Sequence, residues 1–133
     1  MNIIGQNTKE QDGRINTRYK FDQPFKFDDY GSIYKSLEEA GMKVQVVTVH
    51  EEGDMYDGVL VKSYPSIEKL MTEGKTVFDG KDIEYINGLS TFNNQEIYTQ
   101  IIPGIKELVV SVPNTINNEY GQIDEHLKAK WSK

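Results

Sequence analysis

The chain contains no cysteine, and this absence removes several classes of chemistry at once. Disulfide frameworks, thiol nucleophiles, iron–sulfur clusters and Cys-ligated zinc are all excluded. A cysteine-free composition fits a reducing compartment, so a cytoplasmic location is the expectation. Long hydrophobic runs are also missing: no stretch approaches the ~20 apolar residues of a membrane-spanning helix. The opening MNIIGQNTKE has neither the basic start nor the apolar core of a secretory signal. Histidine is scarce, with only His50 and His126, and no G-x-S-x-G elbow accompanies them. Neither G-x-G-x-x-G nor G-x-x-x-x-G-K-[ST] occurs, which excludes the standard phosphate cradles. The four prolines and eleven glycines are scattered, without a linker-like run. No repeat appears at the spacing of a solenoid or propeller.

What is present suits one acidic domain. The 133 residues carry 21 Asp and Glu against 15 Lys and Arg, a formal net charge of −6. Residues 1–13 are polar, with Ile3 and Ile4 as apolar anchors, and are expected to form a flexible segment ahead of a single domain over 14–133. In 14–22, Ile15, Thr17, Tyr19 and Phe21 alternate with Arg14, Asn16, Arg18 and Lys20, the period-2 mark of a half-buried strand.

The rest of the chain reads as helices and strands in succession. Asp28 or Asp29 offers an N-cap for a helix carrying Tyr30, Ile33, Tyr34 and Leu37 on one stripe, with Gly41 after its end. Met42 to His50 is a Val-rich strand placed centrally in its sheet, turning at 51–54 into a returning strand over 56–64. Pro65 opens a short helix bearing Ile67, Leu70 and Met71, closed by Gly74. Thr76–Phe78 and Ile83–Ile86 flank Asp79-Gly80 as a tight hairpin. Asn93 and Glu96 have the spacing of a capping box ahead of a helix with Ile97, Tyr98, Ile101 and Ile102, stopped by Pro103-Gly104. A last strand spans 108–112, and Ile123, Leu127 and Trp131 mark a C-terminal helix. The expected order is β-α-β-β-α-β-β-α-β-α. The expected class is α+β: a mainly antiparallel sheet with three to four helices, whose opening matches the split βαβ order of ferredoxin-like folds.

Three constellations bear on function. From 28 to 57, eight acids (Asp28, Asp29, Glu38, Glu39, Glu51, Glu52, Asp54 and Asp57) face only Lys35 and Lys43. A patch of one sign steers a partner of the other sign and speeds its association. The leading expectation is therefore a non-enzymatic module of inhibitor, immunity or accessory type. It would bind a protein partner with a basic surface through Glu38, Glu39, Glu51, Glu52, Asp54 and Asp57. The second constellation, Arg14, Arg18, Tyr19, Lys20, Phe25 and Lys26, interleaves cations with rings and includes both arginines of the protein. It suits single-stranded nucleic acid, whose bases stack on rings while phosphates meet cations. Strict alternation opposes this, because it puts the rings and the charges on opposite faces. The third is a small-molecule pocket, or a small enzyme, between sheet and helices, using His50 and a tyrosine.

The cluster His50, Glu51, Glu52, Asp54, Asp57 has no established metal spacing, and no metal, cofactor or catalytic residue is assigned. No membrane partner is expected. Strands apolar on both faces need cover on each side, which makes a homo-oligomer a further expectation.

Overall fold

The computed structural model of the chain describes residues 1–53 and 60–132. Asp54, Asp57 and the start of the returning strand at Tyr56 lie outside the described residues. The architecture is α+β: one seven-stranded antiparallel sheet with helices packed against it. The strands are β1 (Ile3–Gln11), β2 (Arg14–Phe21), β3 (Lys43–Glu51), β4 (Val61–Tyr64), β5 (Ile83–Phe92), β6 (Gln95–Ile102) and β7 (Glu107–Pro113). Their spatial order is β1-β2-β7-β6-β5-β3-β4. Helix α1 (Phe27–Glu39) joins β2 to β3. Short α2 (Ile67–Lys69), a π-helical turn (Leu70–Gly74) and α3 (Lys75–Phe78) join β4 to β5, and α4 (Asn117–Lys130) follows β7. The split βαβ order needs a single strand between the two that flank the first helix, whereas β7, β6 and β5 all lie between β2 and β3, so that order is not found.

Strand β2 follows its alternation: Ile15, Thr17, Tyr19 and Phe21 are buried, while Arg14, Asn16, Arg18 and Lys20 point the other way. Strand β1 lies within the segment expected to precede the domain. It pairs along its length with β2, from Ile3↔Phe21 to Gln11↔Arg14. As an edge strand with mostly exposed side chains it carries no apolar alternation, so periodicity could not announce it. In β3 a bulge between Val44 and Val46 restores Val47 and Val49 to the buried side, which explains its apolar residues on both faces.

Two expected elements are corrected. The helix over 93–102 is strand β6. Asn93 and Asn94 both adopt left-handed backbone, φ 52° and 62°, between the closing pair Phe92↔Gln95, making a two-residue hairpin turn. Ile97 and Ile101, spaced i and i+4, satisfy a helical stripe and a strand face equally well. Buried Thr99 between them belongs to the strand alone. The strand over 76–78 is α3, a continuation of the preceding helical turns that buries Phe78 above Leu70 and Gly74. Gly74 does not end the helix. A Cβ there would lie 2.9 Å from Leu70 Cδ1 and 3.3 Å from the Tyr64 ring, so the glycine lets the turn close on its neighbours. The cap of α1 also differs: Lys26 is the N-cap, and Asp29 Oδ2 accepts the Lys26 backbone N–H at 2.6 Å.

The helices cover one side of the sheet. Ile33, Tyr34 and Leu37 of α1, Ile67 and Leu70, and Ile123 and Leu127 of α4 pack on Ile86, Ile97, Ile101, Leu108 and Val110 in one core. Hydroxyls bolt this contact. The Tyr19 and Tyr120 hydroxyls meet at 2.6 Å, and Tyr19 donates to Asp124 Oδ1 at 2.6 Å. Gln6 of β1 donates to the same oxygen at 2.9 Å, and Lys128 pairs with the other at 3.0 Å. Asp124 thus ties α4 to β1 and β2.

Two measurements check this account. Burial raises the hydroxyl pKa of Tyr19, Tyr34 and Tyr120 above the usual tyrosine value, so the folded state holds each neutral. Their contribution is complete below the unfolded value of 10 and is lost as pH rises above it, at about 1.4 kcal/mol per pH unit for each. Urea unfolding between pH 9 and 11.5 should show that decline, shallower by one tyrosine in Tyr19→Phe; an unchanged slope would contradict the assignment. In the hairpin, Asn94→Gly removes a left-handed non-glycine residue and should raise stability by about 0.5–1 kcal/mol. A loss on thermal unfolding would overturn the turn assignment.

Candidate binding face

Helices cover only one side of the sheet, so the outward residues of the middle strands form an open surface. Along β2 these are Arg14, Asn16, Arg18 and Lys20; along β7, Val109 and Ser111; along β6, Tyr98 and Gln100. Strand β5 adds Asn87 and Leu89, and β3 adds Val46 and Thr48. All of these except Arg14 and Lys20 line a cleft of about 500 Å³ on this uncovered side. Its surface mixes half-buried aliphatic side chains with carboxamides and hydroxyls.

Hydrogen bonds hold the polar lining in place. Arg14 Nε donates to Ser111 Oγ at 2.9 Å, and Nη2 donates to the Ser111 carbonyl at 2.9 Å and the Glu96 carbonyl at 3.0 Å. This sets the guanidinium 4.6 Å from the centroid of the Tyr98 ring, within cation–π range. Tyr98 is 46% exposed, and its hydroxyl donates to Glu96 Oε2 at 2.8 Å. That bond and the Glu96 charge hold the phenol in its neutral form, with its pKa raised. Gln100 Nε2 donates to Asn87 Oδ1 at 3.0 Å, and Arg18 pairs with Glu107 at 2.8 Å. Further along the face, the His50 and Tyr85 rings stack at 4.1 Å.

The floor depends on one glycine. Gly88 of β5 faces the helices, where a Cβ would collide with Thr99 Oγ1 and lie 2.8 Å from the Tyr34 hydroxyl. Tyr34 and Thr99 share a hydrogen bond at 3.0 Å in that space. Helix α1 therefore reaches the underside of the strands that carry the cleft.

Of the basic and aromatic set, Arg14, Arg18 and Lys20 lie on the open face. Tyr19 is fully buried on the helix side. Phe25 packs against Phe21 at 5.3 Å and Tyr30 at 5.9 Å, and Lys26 caps α1. Among the acids, Glu38 and Glu39 end α1, with Glu39 paired to Lys130 at 3.2 Å. Burial and the neighbouring Glu68 raise the Glu38 carboxyl pKa. Glu51 ends β3 and Glu52 follows it, its backbone N–H donating to the Asp82 carbonyl at 2.7 Å. Because α1 leads directly into β3, these two pairs of acids are separated by the strand's length, about 30 Å at ~3.3 Å per residue.

His50 lies on the open face, whereas His126 lies on α4, its Nε2 buried without a hydrogen-bond partner among the described residues. The two are on opposite sides of the sheet. No group of three or more His, Asp or Glu that could hold a metal occurs among the described residues.

No protein-family model matches the chain, and neither a curated protein nor a solved structure matches it.

Tyr98, Gln100, Ser111, Asn87, Leu89 and Val46 were missed as members of one surface by sequence reasoning. Assigning 93–102 to a helix took Tyr98 and Gln100 away from β2 and β7. The signal that could have corrected this was the Asn-Asn pair followed by alternating Ile97, Thr99 and Ile101.

Gly88→Ala tests how the cleft is supported. Overpacking against Thr99 and Tyr34 should cost about 1–3 kcal/mol in thermal unfolding. Tyr34→Phe in the same background should recover part of it, and additive losses would show that the two sites do not meet.

Proposed function

We propose that this chain acts by stoichiometric binding rather than catalysis, with the uncovered face of the sheet as its contact surface. The observation that carries the reading is the cleft itself: about 500 Å³, crossing β2, β7, β6, β5 and β3, on the side where no helix packs among the described residues. Its composition supports the same conclusion. Half-buried Val46, Leu89 and Val109 give an apolar centre, while Tyr98 in the lining and Arg14 packed over its ring supply the residue types that concentrate binding energy. Outside the cleft, Val61 is 50% exposed on the edge strand β4. Hydrogen bonds anchor the polar side chains before any ligand arrives, which lowers the ordering cost of binding.

Two occupants from the sequence reading remain open to such a module: a protein partner, as for an inhibitor, immunity or accessory protein, and a single-stranded nucleic acid. The separation of Glu38 and Glu39 from Glu51 and Glu52 favours the sheet face over a single acidic patch as the contact surface. A small-molecule site is less well supported, because the cleft is broad and open rather than enclosed.

The test is native mass spectrometry of tagged chain purified gently from its own host. The wild type should carry added mass, and Tyr98→Ala with Arg18→Gln should lose it. The pair Glu51→Gln and Glu52→Gln should retain it. Added mass that survives the face variant and disappears from the acid variant would transfer the function to the acids.

A further inference from the structure

We infer that the open face takes a short single-stranded nucleic acid. This rests on the binding-face reading above and names its ligand. The decisive feature is which groups share one surface. Sequence alternation separates Tyr19 and Phe25 from the cations of β2, but the antiparallel sheet supplies a different ring. Tyr98, two strands away from β2, stands on the same face as Arg14, Arg18 and Lys20. A cation-bearing flank beside an exposed aromatic ring is what a single strand requires, phosphates on one side and a stacked base on the other.

Charge supports the assignment despite the acidic molecule. Lys9 of β1 lies opposite Asn16 and so joins the same flank. Four cations, Lys9, Arg14, Arg18 and Lys20, therefore meet two carboxylates on this part of the face, Glu96 and Glu107. Both carboxylates are already engaged, Glu96 by the Tyr98 hydroxyl and Glu107 by Arg18. Arg14 is held by Ser111 and by the Glu96 carbonyl, so its guanidinium is set over one face of the Tyr98 ring rather than free to swing, and the other face is the one a base would meet.

The middle of the cleft distinguishes this ligand from an acidic polypeptide. Asn16, Asn87 and Gln100 present carboxamides, each with a donor and an acceptor in one plane, the pattern that pairs with base edges. Gln100 and Asn87 already share one hydrogen bond, and a polyanion without bases would use the cations and leave the remaining donors and acceptors of these groups without a ligand partner. The cleft also runs open across the strands, so a chain can pass through it.

Labelled dT12 and U12 titrated into the full chain at 50 mM salt, followed by fluorescence anisotropy, test the inference. Three phosphate contacts predict a log–log salt slope near −2, about a 20-fold loss between 50 and 200 mM salt. Tyr98→Ala should weaken binding about tenfold or more, with the slope unchanged. Arg18→Gln should lower the slope by about 0.7. Both residues are exposed, and a melting temperature within a few degrees of wild type confirms that each variant is folded. An abasic 12-mer and polyglutamate should bind at least tenfold more weakly than dT12.

Equal binding of the abasic strand or of polyglutamate would reduce the site to an anion-attracting surface and overturn the inference. So would the absence of dT12 and U12 binding at 50 mM salt. In that case, loss of host-derived polypeptide mass from the Tyr98 and Arg18 variant leaves the binding face standing with a protein occupant. Its retention removes both readings together.

Discussion

An antiparallel sheet has two faces, and among the described residues helices cover only one. The rest of the structure follows from that constraint. Seven strands need their buried side chains sealed from water, and α1, α4 and the α2–α3 segment lie on the same side to do it. Each strand must then satisfy two environments, with apolar residues toward the helices and polar or half-buried ones outward. Where a strand cannot alternate strictly, as at the Val44 to Val46 bulge of β3, the backbone adds a residue instead of exposing Val47 and Val49. The open face is thus a necessary product of the helix placement, and the side chains on it are those that the core did not claim.

Buried hydroxyls fix where the helices sit. Apolar contact alone lets a helix slide over a sheet at little cost, since dispersion is not directional. The Tyr19–Tyr120–Asp124 group and the Tyr34–Thr99 pair are directional, and each joins a helix to a particular strand. Asp124 also receives Gln6 from β1, which secures the edge strand to α4. At the other end of β1, Asn2 donates through its backbone N–H to Asp22 Oδ1 just past β2 at 2.7 Å, which lowers the Asp22 pKa. That contact is complete above the ordinary carboxylate range and fades as pH falls below it.

The sequence was most legible where burial and periodicity agreed. Strand β2 and helix α1 bury the residues their spacing selects, and α4 buries Ile123 and Leu127 of its stripe together with Tyr120, while Trp131 is half-buried past the helix end. It was least legible in two physical situations. The first is the edge: β1 gains its place from backbone pairing with β2, and its side chains record almost nothing of that. The second is even spacing. An i, i+4 pair such as Ile97 and Ile101 is compatible with both periods, so the decision passes to the turn, and two left-handed asparagines are a weaker written signal than Asn-Gly. The candidate site inherited this ambiguity. Its cations were visible in 14–20, but its ring lay on a segment assigned to the wrong element.

Charge placement gives these parts a common direction. A molecule with net charge −6 repels a polyanion at long range, so any such ligand must approach along the surface where that repulsion is locally reversed. Both arginines of the chain are on β2, and both point to the uncovered face. Among the other acids, Asp28 is paired with Lys75 and Glu39 with Lys130, while Glu38, Glu51 and Glu52 lie at the ends of α1 and β3. At ordinary salt the Debye length is about 8–10 Å, shorter than the span of the sheet, so the distant acids are screened from the β2 flank while its own cations act at contact. Net charge therefore limits the rate and range of encounter. On the proposed reading, the local arrangement of Arg14, Arg18, Lys20 and Tyr98 determines what can stay bound.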